Sequence, residues 1–156
     1  MKFSALTLPL AALSALTPAL ARIANFSFPS TAYLGENLLV NVTTEIYVQQ
    51  WSDLNVMFGF QSKAYRCGTC VGQGEWYENL YGNSDYTGTN GTELASYTIS
   101  VPVAPYLNTS LEYVLVAAVP YIAGASGTTG IRYFNQTITL TPNSNDGGAV
   151  EEDDSA

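Results

Sequence analysis

The sequence contains no histidine and only two cysteines, and these shortages exclude several kinds of active site. Without histidine there is no Ser-His or Cys-His nucleophile pair, no histidine metal ligand and no histidine general base. A structural zinc site of the usual kind takes four Cys or His ligands, and two cysteines supply only half of them. We therefore expect no metal and no other cofactor.

Carboxylates are the catalytic side chains that remain. Glu75, Glu78 and Asp85 lie close together in the sequence, and a glycosidase needs two carboxylates at a defined separation. Most acidic side chains on a protein surface are simply solvated, and a small β-domain offers little room for a substrate cleft. We predict that the protein is not an enzyme and has no catalytic residues.

Positive charge is scarce, since five Lys and Arg residues stand against 13 Asp and Glu. Nucleic acid and anionic membrane surfaces are poor partners for such a chain. Five of the acidic residues fall within residues 142–156, a segment with almost nothing to bury. We predict that this segment is a disordered acidic tail.

The first 21 residues have the pattern of a secretory signal peptide. Lys2 supplies positive charge, residues 3–16 are mostly apolar, and Ala19-Leu20-Ala21 provides the small residues that signal peptidase requires. The apolar stretch is too short to span a bilayer, and no later segment looks able to do so. We predict a secreted protein whose folded domain covers residues 22–141.

Short segments rich in Val, Ile, Thr and Tyr, separated by turn residues, make up this domain. Seven of them are predicted strands: residues 22–28, 38–47, 54–60, 76–81, 94–101, 111–120 and 131–141. The central one is 54–60, because Leu54, Val56, Phe58 and Phe60 share one side of an extended chain. The pattern predicts an all-β fold, a single antiparallel β-sandwich of about seven strands that is immunoglobulin-like.

Five N-glycosylation sequons are spread along the domain. Their acceptors are Asn25, Asn41, Asn90, Asn108 and Asn135. Asn41 and Asn135 alternate with the apolar residues of their strands, so they are predicted to face solvent, as a glycan requires. We predict a glycoprotein.

The stretch between Asn41 and Asn90 has no sequon and is dense in aromatic residues. Tyr and Trp bury a large area at low entropic cost, so a glycan-free aromatic surface suits a binding face. The predicted partner-binding residues are Tyr65, Trp76, Tyr77, Tyr81 and Tyr86. The competing interpretation places these rings in the core, and we expect Trp51 and one of the pair Trp76 and Tyr77 to point inward.

Cys67 and Cys70 lie in a Gly-rich loop inside this stretch. In a secreted chain with two cysteines we predict a local disulfide, which by loop-closure entropy stabilises the fold by about 2 kcal/mol. A thioredoxin-type motif would need a helix that begins at the first cysteine in a βαβ unit, and the surrounding sequence favours no helix. The disulfide would shape the loop rather than hold the fold together.

Several short motifs follow one another through the domain. They are Arg22-Ile23, Phe28-Pro29, Gly35-Glu36, residues 46–50, Asp53-Leu54, residues 58–60, Val71-Gly72, residues 114–119 and residues 134–139. Their order and spacing resemble the necrosis-inducing secreted protein family, small effectors of filamentous fungi. The resemblance covers nearly the whole domain, although no single motif is catalytic.

The resemblance implies a virulence effector that binds kinases of the host plant's immune receptor complex, suppresses pattern-triggered immunity and can induce cell death. It implies a monomer that acts by binding, outside the fungal cell, at the host surface or in the host cytoplasm. The alternative is a carbohydrate-binding or wall-associated module, in which Trp76 with Tyr77 or Tyr81 forms a platform for sugar rings. The residues alone leave both hypotheses open.

Overall fold

The structure is a computed structural model that describes residues 20–47, 50–80 and 96–143. Within these ranges the chain forms nine strands and one short 3-10 turn, Lys63–Tyr65. The strands are β1 (Leu20–Ser27), β2 (Thr31–Tyr33), β3 (Asn37–Tyr47), β4 (Trp51–Asp53), β5 (Asn55–Ser62), β6 (Gln73–Asn79), β7 (Ser96–Pro102), β8 (Tyr113–Ala123) and β9 (Thr128–Thr141). No helix in the described ranges is long and apolar enough to cross a membrane.

The strands belong to two sheets. A three-stranded antiparallel sheet has the order β1-β3-β7. The second sheet has the order β2-β9-β8-β5-β6, and β4 adds to it by pairing with the end of β8. Strands β8 and β9 form a long hairpin whose turn contains Gly124 and Gly127, both with positive φ. Glycine suits these positions because a side chain would be strained there.

The core lies between the two sheets. The three-stranded sheet contributes Ile23, Phe26, Leu38, Val40, Val42, Ile99 and Val101. The larger sheet contributes Ala32, Val56, Phe58, Phe60, Tyr113, Leu115, Ala117, Val119, Ile138 and Leu140. Phe26 and Phe58 join the layers through an edge-to-face contact with 5.8 Å between ring centroids. The alternation predicted for β5 is therefore confirmed at Val56, Phe58 and Phe60, which are all fully buried.

The all-β prediction is confirmed, and a strand is present at each of the seven predicted positions. The two additional strands, β2 and β4, have three residues each, which is too short for an alternating pattern to show. Leu54, predicted to begin the central strand on its buried side, is instead half-buried and separates β4 from β5. Its backbone N–H donates to the carbonyl of Pro120 across the gap.

Two features of the predicted sandwich are not found. The sheets are not purely antiparallel, because β2 pairs with β9 in parallel register from Thr31 opposite Thr139 to Tyr33 opposite Thr141. This pairing arises because the chain leaves the first sheet after β1 and joins the edge of the second. The immunoglobulin-like arrangement is not confirmed either, since the sheets contain three and six strands and immunoglobulin constant domains contain four and three.

Candidate partner-binding groove

Strand β6 is an edge strand of the larger sheet and pairs only with β5 among the described strands. Side chains alternate across it, so the neighbours Trp76 and Tyr77 point to opposite faces. The Trp76 ring is half-buried and stacks on Phe58 with 6.1 Å between centroids. Tyr77 lies opposite Met57 on the outer face and is 69% exposed. The expectation that one ring of this pair points inward agrees with this arrangement.

A shallow groove of about 220 Å³ lies where β5, β6 and the disulfide loop meet. Its lining residues are Asn55, Met57, Val71, Glu75, Trp76 and Tyr77. Pockets for drug-sized ligands are larger, about 300–1,000 Å³. The groove is therefore suited to a single side chain of a partner rather than to a whole small molecule.

The disulfide loop forms one wall of this groove and is fixed by a buried glutamine. Gln61 Oε1 accepts a hydrogen bond from the Cys67 backbone N–H at 3.0 Å, and its Nε2 donates to the carbonyls of Cys67 and Cys70. The predicted disulfide between the two cysteines is present. On the far side, Tyr133 donates its hydroxyl proton to the carbonyl of Thr69 at 3.0 Å. These bonds hold the loop against the outer face of the larger sheet.

Two glycines allow the loop to approach the sheet closely. A Cβ atom on Gly59 would lie 2.6 Å from the carbonyl oxygen of Val71. Gly72 has a φ of 108°, and a Cβ there would lie 2.3 Å from the carbonyl oxygen of Phe60. Larger residues would push the loop off the sheet. Two of the motifs that carried the family resemblance, residues 58–60 and Val71-Gly72, are thus in direct contact.

The predicted binding residues do not form one surface. Trp76 and Tyr77 line the groove, but Tyr65 lies in the 3-10 turn beyond the far end of β5 and is 86% exposed. Met57 and Ser62 are five positions apart on an extended strand, which corresponds to a distance of about 17 Å. Tyr81 and Tyr86 lie outside the described residues. The role of these residues in binding a partner stays a prediction.

Four of the five sequon asparagines are described, and each is exposed: Asn25, Asn41, Asn108 and Asn135. Asn90 lies outside the described residues. Asn135 is on β9, three strand spacings or about 14 Å from β6. Its Oδ1 accepts a hydrogen bond from Arg66 Nη2 at 3.2 Å, so a glycan there would stand beside the disulfide loop. None of the four described sequon asparagines lines the groove.

A second depression, of about 470 Å³, lies between the 3-10 turn and the segment before β8. Its two charged residues, Lys63 and Glu112, pair with each other at 3.0 Å. The depression therefore offers no unpaired charge that would orient a ligand. In the described ranges, no group of three or more Cys, Asp or Glu side chains is arranged to hold a metal ion.

The sequence pattern missed a polar cluster at one end of the core. A charged side chain is normally solvated, but that of Asp53 is fully buried. It accepts hydrogen bonds from the Ile23 N–H at 2.7 Å, from Trp51 Nε1 at 2.9 Å and from Arg132 Nη2 at 2.9 Å. The Trp51 ring, buried as expected, stacks on Tyr121 with 4.2 Å between centroids. Asp53 thus connects β1, β4 and β9.

Comparison with known proteins decides the family. The sequence profile of the Nis1 family matches residues 19–139. The chain belongs to the Nis1 family. The resemblance found in the sequence is therefore confirmed, and the Nis1 match includes both the groove and the Asp53 cluster.

Two curated relatives carry the name "Necrosis-inducing secreted protein 1". The relative from Colletotrichum higginsianum is 31% identical over 125 residues, covering 77% of this Nis1 chain and 78% of the relative. The relative from Colletotrichum orbiculare is 28% identical over 142 residues, covering 83% and 76%. Among solved structures, a superoxide reductase (neelaredoxin) from Ignicoccus hospitalis aligns over 78% of the chain and 80% of its own, with a TM-score of 0.39 and 13% identity. That likeness is too low to support a functional argument.

Proposed function

We propose that the protein is a secreted fungal effector that binds a kinase of the host plant's immune receptor complex and thereby suppresses pattern-triggered immunity. The observation that carries the proposal is membership of the Nis1 family, together with relatives named as necrosis-inducing secreted proteins of Colletotrichum. Those names also support export from the fungal cell, and contact with a host protein would then occur at the host surface or inside the host.

The side chains that line the groove are suited to inhibition by binding, without a chemical reaction. Among the described residues that line it, Glu75 is the only carboxylate, whereas hydrolysis of a glycosidic bond needs two. Its remaining lining is mostly apolar or aromatic, which is the composition of a protein contact site. The protein would act by occupying a surface that the kinase needs for its own partners.

The groove is the contact surface that we favour. Tyr77 offers a large exposed ring, and the disulfide loop beside it is held in place by Gln61, so little ordering is needed on binding. The carbohydrate-binding alternative relied partly on a joint platform of Trp76 and Tyr77. These rings face opposite sides of β6, so they do not form one flat surface for a sugar ring.

A direct titration tests the proposal. The secreted protein, with its glycans removed under native conditions, is titrated with the isolated kinase domain of a plant immune co-receptor, and in parallel with chitin and glucan oligomers. We expect a dissociation constant for the kinase domain in the micromolar range or below. Binding to the oligomers with no binding to the kinase domain would reject the effector proposal in favour of a carbohydrate-binding module.

A further inference from the structure

The polar groups of the groove accept hydrogen bonds or carry negative charge, and one of them lacks a partner. Asn55 Oδ1 is buried and has no hydrogen-bond donor within the described part of the chain. Buried acceptors in native proteins are nearly always satisfied, so an unsatisfied one beside an open groove suggests a donor from outside. Glu75 contributes a carboxylate, and Tyr77 contributes an exposed aromatic ring. A donor with positive charge would complement the Glu75 carboxylate and the Tyr77 ring, and a second donor would satisfy Asn55 Oδ1.

The basic residues of the described domain contact groups other than Glu75. Four of the chain's five basic residues lie in the described domain, and each is engaged elsewhere. Arg22 pairs with Glu45, Lys63 pairs with Glu112, Arg132 pairs with Asp53, and Arg66 bonds to Asn135. The fifth, Lys2, belongs to the predicted signal peptide. None of these contacts involves Glu75, so its carboxylate forms no ion pair with a basic residue of the described domain.

We propose that the groove binds the side chain of an arginine presented by the partner protein. The guanidinium stacks on the Tyr77 ring and donates to the Glu75 carboxylate, and a second donor of the partner satisfies Asn55 Oδ1, because Asn55 pairs with Asn79, four positions along β6 from Glu75. The methylene stem of the arginine lies against Met57 and Val71. This inference deepens the proposed function and rests on it, because it identifies the residue type that the host protein would insert.

Arginine fits the groove better than lysine for three reasons. Its planar guanidinium stacks on aromatic rings and can donate two parallel N–H groups to one carboxylate. It is also more weakly hydrated than an ammonium group, so moving it into a partly apolar groove costs less. The volume of about 220 Å³ suits one long side chain rather than a larger ligand.

The first test compares charge variants in the kinase titration. Glu75→Gln removes the groove's carboxylate, and Glu78→Gln is its matched control, because Glu78 lies on the same strand and the two variants change the net charge equally. We expect Glu75→Gln to weaken binding by about fivefold or more and Glu78→Gln by less than about twofold. Equal effects of the two variants would mean that only overall charge matters, and would overturn the inference.

Variants of Tyr77 separate the ring from the hydroxyl. Tyr77→Phe keeps the aromatic face and should retain the affinity of the wild type within about twofold, whereas Tyr77→Leu removes the face and should weaken binding by about threefold or more. Equal affinities of the Phe and Leu variants would refute stacking of a cation on this ring.

The second test needs no kinase. The isotope-labelled secreted protein is titrated with the blocked tripeptide acetyl-Gly-Arg-Gly-amide, and then with the same peptide containing citrulline, which has nearly the same shape but no charge. We expect the backbone amide signals of Glu75, Trp76 and Tyr77 to shift with the arginine peptide alone. Shifts with the arginine peptide but no kinase binding would reject the proposed function and keep the arginine site. If the protein binds the kinase domain, but the peptide causes no shifts and Glu75→Gln has no effect, the proposed function stands and the arginine site is rejected. If neither the kinase domain nor the peptide binds, the proposed function and the arginine site are both rejected.

Discussion

The buried carboxylate of Asp53 should be a main determinant of stability. Its two oxygens accept three hydrogen bonds from donors on three strands, the Ile23 N–H, the Trp51 indole and the Arg132 guanidinium. Asp53→Ala leaves these donors without their acceptor and leaves the charge of Arg132, which is 22% exposed, without its counterion. Removing one member of a buried ion pair lowers the stability of a protein by about 3–5 kcal/mol. We therefore expect a loss of about 4 kcal/mol in the free energy of unfolding.

Urea denaturation followed by tryptophan fluorescence measures this loss. Domains of this size lose about 1–3 kcal/mol of stability per molar urea, so the midpoint should fall by about 2 M. The matched control is Glu45→Ala, which removes the half-exposed partner of Arg22 and should cost less than about 1 kcal/mol. If Asp53→Ala does not fold, Asp53→Asn, with an expected loss of about 2 kcal/mol, replaces it. Equal losses for Asp53→Ala and Glu45→Ala would refute the reasoning.

Three further predictions concern the disulfide loop and the glycans. Gly59→Ala should lower the free energy of unfolding by about 1–3 kcal/mol, because the added Cβ meets the carbonyl of Val71. Gly68→Ala, with open space around it, should leave the free energy of unfolding unchanged. Similar urea midpoints for the two variants would contradict the close packing of the loop. Replacing Cys67 and Cys70 with serine should lower stability by about 2 kcal/mol or less and leave the far-UV circular dichroism spectrum unchanged; an unfolded double variant would show that the disulfide is essential to the fold. Enzymatic deglycosylation of the secreted protein should reduce its mass by at least two glycans, and a smaller change would show that the sequons do not report strand facing.

The strands that could be predicted are those whose burial alternates over many residues. In β3, buried Leu38, Val40 and Val42 alternate with exposed Leu39 and Asn41, and the pattern is visible in sequence because one face of the strand packs on the core. Strands β2 and β4 carry only three residues each, so no alternation can develop. Their pairing depends on β9 and β8, which come much later in the chain. Such pairing is set by the whole fold rather than by the local segment.

The burial of Asp53 could not be predicted from its neighbours. A charged residue is normally placed in solvent, and its burial here depends on Ile23 and Arg132, which are 30 and 79 positions away. Two of the aromatic residues that the sequence indicated, Trp76 and Tyr77, line the groove, and their role in binding stays a prediction. The opposite facing of these two residues and the approach of Val71 to Gly59 depend on how β5, β6 and the loop come together, so the local sequence could not show them.

We propose that the protein binds a host immune kinase through the groove beside Tyr77. The most direct measurement compares the affinity of Tyr77→Ala and Tyr33→Ala for the kinase domain by calorimetry, since Tyr33 is also exposed but lies on β2, at the opposite edge of the same sheet. We predict that Tyr77→Ala weakens binding by at least about fivefold, or 1 kcal/mol, and that Tyr33→Ala leaves it unchanged. A wild-type affinity retained by Tyr77→Ala would contradict the assigned site, and a wild-type protein that binds no kinase domain would contradict the proposed function.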